Sequence, residues 1–316
     1  MLKTEAGPPP ANVSGQPGKP FARYAWAVLA YNLGVVLWGA FVRATGSGAG
    51  CGKHWPLCNG EVTPHSPAVA TLIEFTHRAT SGIDLALVAV LLVWSFRAFP
   101  RRHPARLGAA LSAVFLVTEA LLGAALVLLE HVAANASANR AYSLSTHLVN
   151  TLTLLACLTL TAWWATGKPA VAARGPGLWM AAVSLAAVML LGVSGAIAAL
   201  GDTLFPAHSL AAGLAQDLDP AASIFVRLRL FHPMIAACVA AWLAFYLASS
   251  ASRRPAARPW AVTAASLLVL QLLAGAANLL LLAPVWMQLL HLLIADLLWI
   301  SLVLLSATIF AARGKP

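Results

Sequence analysis

The chain has 316 residues, 60% of them hydrophobic and only 9% charged, with a formal net charge of +10 and a mean hydropathy of +0.80. A soluble globular domain carries roughly 25% charged residues, so this composition excludes one. Nucleic acid is excluded as a partner too, because the basic residues sit in short gaps between apolar runs rather than on one polar face.

Residues 1–21 hold Gly7, Pro8, Pro9, Pro10, Gly15, Pro17, Gly18 and Pro20 and lack an apolar core, which predicts a disordered cytoplasmic tail and not a signal peptide. Crossing the hydrocarbon core takes about 20 apolar residues. Eight segments qualify, near 22–42, 71–96, 107–130, 142–166, 178–200, 226–250, 260–283 and 287–311, so the expected fold is an all-α integral membrane protein.

The gaps after the second, fourth and sixth spans carry Arg97, Arg101, Arg102, Arg106, Lys168, Arg174, Arg253, Arg254 and Arg258. With Lys3, Lys19, Arg23, Arg313 and Lys315 at the two ends, fourteen of the twenty basic residues fall on one side. The positive-inside rule makes that side cytoplasmic, with both termini there and the longer loops 43–70 and 201–225 outside, in the plasma membrane.

Eight helices divide into two four-helix bundles, expected at 22–167 and 178–316 with a cytoplasmic linker at 168–177. Glu119-Ala-Leu-Leu-Gly123-Ala-Ala in the third span matches Gln271-Leu-Leu-Ala-Gly275-Ala-Ala in the seventh, which suggests a duplicated unit and pseudo-symmetric bundles.

His77, His147, His232 and His291 lie in the second, fourth, sixth and eighth spans, each the fifth to seventh residue of its span. That places all four roughly 8 to 10 Å below the outer interface at about 1.5 Å per residue. A single such histidine reads as an interhelical hydrogen-bonding group, but polar groups in lipid are costly, and four at one depth mark function. Opposed imidazoles in an apolar bundle, without thiolates or carboxylates at ligand spacing, suit a haem. Haem propionates need cations at the aqueous rim, and Arg43, Arg78, Arg227 and Arg229 are the candidates. Snorkelling to the interface is the alternative for each of these.

Glu74 precedes His77 by three residues, on the same helical face, where Arg229 holds the equivalent place before His232. The first bundle thus has a group for acid–base or cation-stabilising chemistry, and the second is suited to retain an anionic haem. A solvated position at the interface is the alternative for Glu74. Asp84, Glu119 and Asp296 lie mid-span, where interhelical hydrogen bonding is expected and proton relay is the alternative.

Cys51 and Cys58 lie in the first outer loop, in the oxidising compartment, which favours a disulfide between them. A metal site with His54 and a redox-active pair are the other readings. Cys157 and Cys238 read as small buried hydrophobes.

The runs Gly39-Ala-Phe-Val-Arg43-Ala-Thr-Gly46-Ser-Gly48-Ala-Gly-Cys51, Trp55-Pro56-Leu-Cys58-Asn59-Gly60 and Glu74-Phe-Thr-His77-Arg78 resemble the haem A synthase family. So do His147, the stretch Arg227-Leu-Arg229-Leu-Phe-His232, and His291-Leu-Leu-Ile-Ala-Asp-Leu-Leu-Trp299. The resemblance covers nearly the whole chain. It implies an enzyme that oxidises the C8 methyl of haem O to the formyl of haem A by successive hydroxylations, for assembly of a terminal oxidase.

Carried over by position, His77 and His147 attend the substrate haem with Glu74 as the catalytic carboxylate, and His232 and His291 ligate a haem b cofactor. Cys51 and Cys58 match the family's outer-loop pair. A haem O synthase and oxidase assembly factors are the implied partners. The alternative is a di-haem b-type electron-transfer cytochrome. One departure is Pro233 in the place of Arg78, which is expected to bend its helix near His232.

Overall fold

The computed structural model describes residues 19–311 except 66, 173 and 176. Most of the tail expected at 1–21 therefore lies outside the described residues, as do Lys3, Arg313 and Lys315. Ten α-helices follow in order: α1 (Lys19–Ala44), α2 (Val69–Ala98), α3 (Pro104–Leu128), α4 (Ala138–Ala165), α5 (Leu178–Leu204), α6 (Leu210–Leu218), α7 (Ile224–Arg229), α8 (Phe231–Arg253), α9 (Arg258–Leu280) and α10 (Val285–Ile309). Among the described residues there is no β-strand, only two isolated bridges. Eight helical segments, with α7 and α8 taken as one, are long and apolar enough to cross a membrane. The protein is an all-α, multi-pass membrane protein, as expected.

Helix is the only conformation that lets an apolar segment satisfy its own backbone in lipid, and the termini carry ordinary start signals. His103 caps α3 by accepting from the Ala105 N–H, with Pro104 at the first helical position. Ser137 caps α4 and Ser209 caps α6 in the same way. The sixth span is interrupted at Leu230, three residues before Pro233, and divides there into α7 and α8. Leu230 itself keeps helical dihedrals, φ −61° and ψ −32°, so the helical assignment breaks there while the backbone stays in the helical region. Helix α6 falls inside the loop expected at 201–225 and was not anticipated.

Around the first four spans, α1 packs on α2 and α4, and α3 packs on α2 and α4. In the second set, α8 packs on α5 and α9, and α10 on α9 and α5. This arrangement is compatible with two related four-helix units. The sets join through α4, which touches α5 and α10, and through the contact of α1 with α10. Accordingly Trp299, Ile300 and Val303 of α10 belong to the same core as Leu152, Leu155 and Leu158 of α4. Trp299 Nε1 donates to the Leu152 carbonyl at 2.7 Å across that seam. Cys238 is exposed and Cys157 half-buried, which corrects the expectation that both are buried.

Candidate functional site

The loop after α1 returns along the first bundle and is closed by a disulfide between Cys51 and Cys58. Gly50 lies so close to the start of α2 that a methyl group there would overlap the Ala70 carbonyl, and its own carbonyl accepts from Thr71 Oγ1 at 2.7 Å. Lys53 pairs with Glu130, which fastens the same loop to the α3–α4 connection. The four spans of the first set thus have a covered end, called the disulfide end below.

Directly beneath that loop, Glu74 is only 3% exposed. The solvated alternative is excluded by this burial. One carboxylate oxygen accepts the Cys51 N–H at 2.8 Å. The other is paired with the Arg78 guanidinium, whose remaining N–H groups donate to the His54 and Leu57 carbonyls, each at 2.6 Å. A buried carboxylate is tolerated because every interaction it needs is supplied by a cation and a backbone amide.

One turn along α2, the His77 ring lies against Gly39 of α1, where an added Cβ would sit 3.0 Å from Cε1. The arrangement recurs in the second set. An added Cβ at Gly195 of α5 would meet His232 of α8 at 3.0 Å, and one at Gly275 of α9 would meet His291 of α10 at 3.1 Å. Gly123 of α3 faces His147 of α4 less tightly, at 3.9 Å. Each histidine therefore turns Cε1 toward a glycine of the preceding span, where the missing side chain leaves room for the imidazole. The sequence signal was present in the matched Gly123 and Gly275 segments, but nothing in spacing alone linked them to particular histidines.

Are these residues suited to hold a haem? The Nδ1 atoms of His77, His147 and His291 are buried without a hydrogen-bond partner, and buried polar atoms of this kind mark unfilled chemistry. His232 is more telling. The Ser194 hydroxyl, 2.8 Å from the Leu191 carbonyl, lies 2.9 Å from His232 Nδ1 and hydrogen-bonds it. With Nδ1 held by that hydroxyl, Nε2 is the ring nitrogen of His232 that would meet a metal. The set fits a haem.

The candidate propionate partners have diverse settings. Arg229 is held by Asp202 at 3.0 Å and by Asp217 of α6 at 2.6 Å. Arg78 is engaged with Glu74 as above, and Arg227 is exposed. Arg43 reaches out of the first set, donating to the Ala199 carbonyl at 3.0 Å, to Thr203 Oγ1 at 3.1 Å and to Gln288 Oε1 at 3.0 Å. Of the mid-span acids, Asp84 is bonded to Asn32 of α1 at 2.5 Å, and Glu119 to Asn150 and Thr151 of α4, so both form interhelical hydrogen bonds. Asp296 is buried with one oxygen unpartnered.

A helical membrane protein with four glycine-backed histidines and a disulfide-covered carboxylate defines a class: a polytopic protein with a histidine on each of four alternate spans. The family model described as cytochrome oxidase assembly protein matches residues 22–303. The chain belongs to this family, COX15-CtaA, the haem A synthase family. It is 51% identical over 298 residues to a Thermus thermophilus protein named protohaem IX farnesyltransferase, a match covering 93% of this chain and 49% of that protein. It is 50% identical over 93 residues to the haem A synthases of Bacillus mycoides and Bacillus cereus, matches covering 29% of this chain and 30% of each relative. The chain thus spans about half the length of the Thermus protein it matches.

Proposed function

We propose that the protein converts haem O to haem A, oxidising the C8 methyl to a formyl group, as an oxidoreductase that serves assembly of a terminal oxidase. The observation that carries this reading is the unequal pair of residues beside two otherwise similar histidine sites. Glu74 lies buried one turn from His77, and Arg229 stands at the matching place before His232.

In this reading the first four spans hold haem O between His77 and His147, and the last four hold a haem b on His232 and His291. A bound haem b supplies one-electron redox chemistry. Arg43, Arg78, Arg227 and Arg229 provide the cations for propionates at the disulfide end. The C8 methyl shares its pyrrole ring with one propionate, so anchoring the propionates at that end brings the methyl to the level of Glu74. Glu74 is the carboxylate placed to accept a proton released when that methyl is oxidised. The disulfide loop keeps water from the site by covering it.

The site lies on the outer side of the plasma membrane with both termini cytoplasmic, and substrate enters laterally from lipid. The upstream partner is a haem O synthase. The name of the Thermus relative, a protohaem farnesyltransferase of twice this length, supports that pairing. The test is haem A formation by the purified protein and by its Glu74→Gln variant. A Glu74→Gln protein that retains haem but forms no haem A supports the assignment, whereas an unchanged yield removes it.

A further inference from the structure

The two histidine sites differ again on their other flank, toward the membrane centre. Glu119 lies four residues before Gly123 in α3, and its carboxylate comes within 3.7 Å of His147 Nε2. It is held by Asn150 Nδ2 at 2.5 Å and by the Thr151 hydroxyl. Both Asn150 N–H groups are used, the second on the Phe115 carbonyl, and Asn150 Oδ1 accepts from Thr118. Asn150 is therefore a strut with no hydrogen left for a ligand.

Glu119 is different. A carboxylate has about four acceptor positions and only two protein groups donate to it. Its side chain keeps 18% exposure. It has unused acceptor capacity on an oxygen 3.7 Å from His147 Nε2.

Register from the histidine and glycine anchors shows what the second site has instead. Gln271 stands four residues before Gly275, and Ile294 and Ala295 stand where Asn150 and Thr151 follow His147. In the second site Gln271 is turned to His291, its Nε2 donating to His291 Nε2 at 3.1 Å, so a carboxylate held by Asn and Thr lies beneath the first site and a neutral amide beside Ile294 and Ala295 beneath the second.

We propose that Glu119 is the residue that selects a hydroxylated haem, by accepting a hydrogen bond from the hydroxyl of the hydroxyethylfarnesyl group. The inference rests on the reading that the first four spans hold haem O. With propionates at the disulfide end, the opposite porphyrin edge points toward Glu119, about one helical turn, or roughly 6 Å, deeper than the histidine. Protohaem carries only vinyl groups on that edge. Haem O carries a hydroxyl there, which in an apolar interior must find a partner. Glu119 supplies it, whereas in the second site Gln271 is engaged by His291 and the neighbouring Ile294 and Ala295 suit the vinyl edge of protohaem.

The test is a spectroscopic titration of purified protein whose second site already holds haem b. Two probes are compared, protohaem and haematohaem, the iron porphyrin with hydroxyethyl groups in place of both vinyls and no farnesyl tail. The wild type is expected to bind haematohaem at least about tenfold more tightly, the effect of one hydrogen bond to a charged acceptor. The combined Glu119→Gln, Asn150→Ile, Thr151→Ala variant, which imports the second site's own residues, is expected to lose that preference.

Glu119→Gln alone is expected to reduce the preference several-fold, and decides the matter if the triple variant fails to fold. Equal binding of both probes by the wild type overturns the proposal and leaves the first site a haem site. An intact preference in folded variants also overturns it. Failure of the first site to bind either probe, with haem b still in place, overturns the parent reading instead.

Discussion

The Glu74 carboxylate accepts the backbone N–H of Cys51 at 2.8 Å, so the acid one turn from His77 is positioned by the same loop that the Cys51–Cys58 disulfide closes. A disulfide around so short a loop restricts the unfolded chain by about 2 kcal/mol. Its larger role here is local, because Arg78 also donates to two carbonyls inside that loop. Cys51→Ser combined with Cys58→Ser is expected to lower haem A formation about tenfold while leaving the haem of the second site in place. Product analysis beside haem stoichiometry checks this, and an unchanged rate would show that the loop does not hold Glu74.

Substituting Glu74 by Gln keeps an acceptor for Cys51 but removes the charge that meets Arg78. Loss of a general base costs about 10²-fold or more. The variant should therefore retain two haems and lose at least that factor in turnover. Substitution by Ala should in addition lower thermal stability, because it leaves the Arg78 cation buried without its anion.

The glycines behind the histidines make a graded prediction. In an ordinary helix, Gly→Ala stabilises by about 1 kcal/mol. Gly39→Ala should instead displace His77 and weaken haem binding in the first site, while Gly195→Ala and Gly275→Ala should do so in the second. Gly123→Ala, where the added methyl lies 3.9 Å from His147, should bind haem normally. Pyridine haemochrome stoichiometry of the four purified variants separates these outcomes, and uniform tolerance would mean that the rings are not seated on the glycines.

How much of this was legible in the sequence follows from the range of the interactions. The eight spans were readable because apolar length is a local property, and the disulfide because its cysteines are seven residues apart. Pro233 announced the interruption at Leu230 for the same local reason. The short helix α6 had a cue in the spacing of Leu210, Leu214 and Leu218 and in the Ser209 cap, but nine residues fall below the length a span search detects. The engagement of Arg229 by Asp202 and Asp217, and of Arg43 by Gln288, joins residues far apart in the chain. Charge alone marked these arginines as rim cations, and only packing shows their protein partners. The glycine cradles were hidden likewise, since each pairs residues on different helices.

The seam between the two sets of spans gives a stability prediction. Trp299→Phe keeps the ring in the core but leaves the Leu152 carbonyl without its donor, at an expected cost of about 1 kcal/mol. Arg43→Ala removes three hydrogen bonds at the disulfide end of the same seam. Both should lower the melting temperature in detergent, and Arg43→Ala should also weaken haem retention. A melting curve unchanged by either substitution would show that the seam contributes little.

The measurement that bears most directly on the central claim is co-expression of the chain with a haem O synthase, purification in detergent, and identification of the extracted porphyrins by chromatography and mass. Haem A or its hydroxylated precursor beside haem B is the predicted result, with Glu74→Gln yielding haem O and haem B alone. Two haem B per chain in the presence of available haem O would contradict it, and would make this protein an electron-transfer cytochrome with the family's fold.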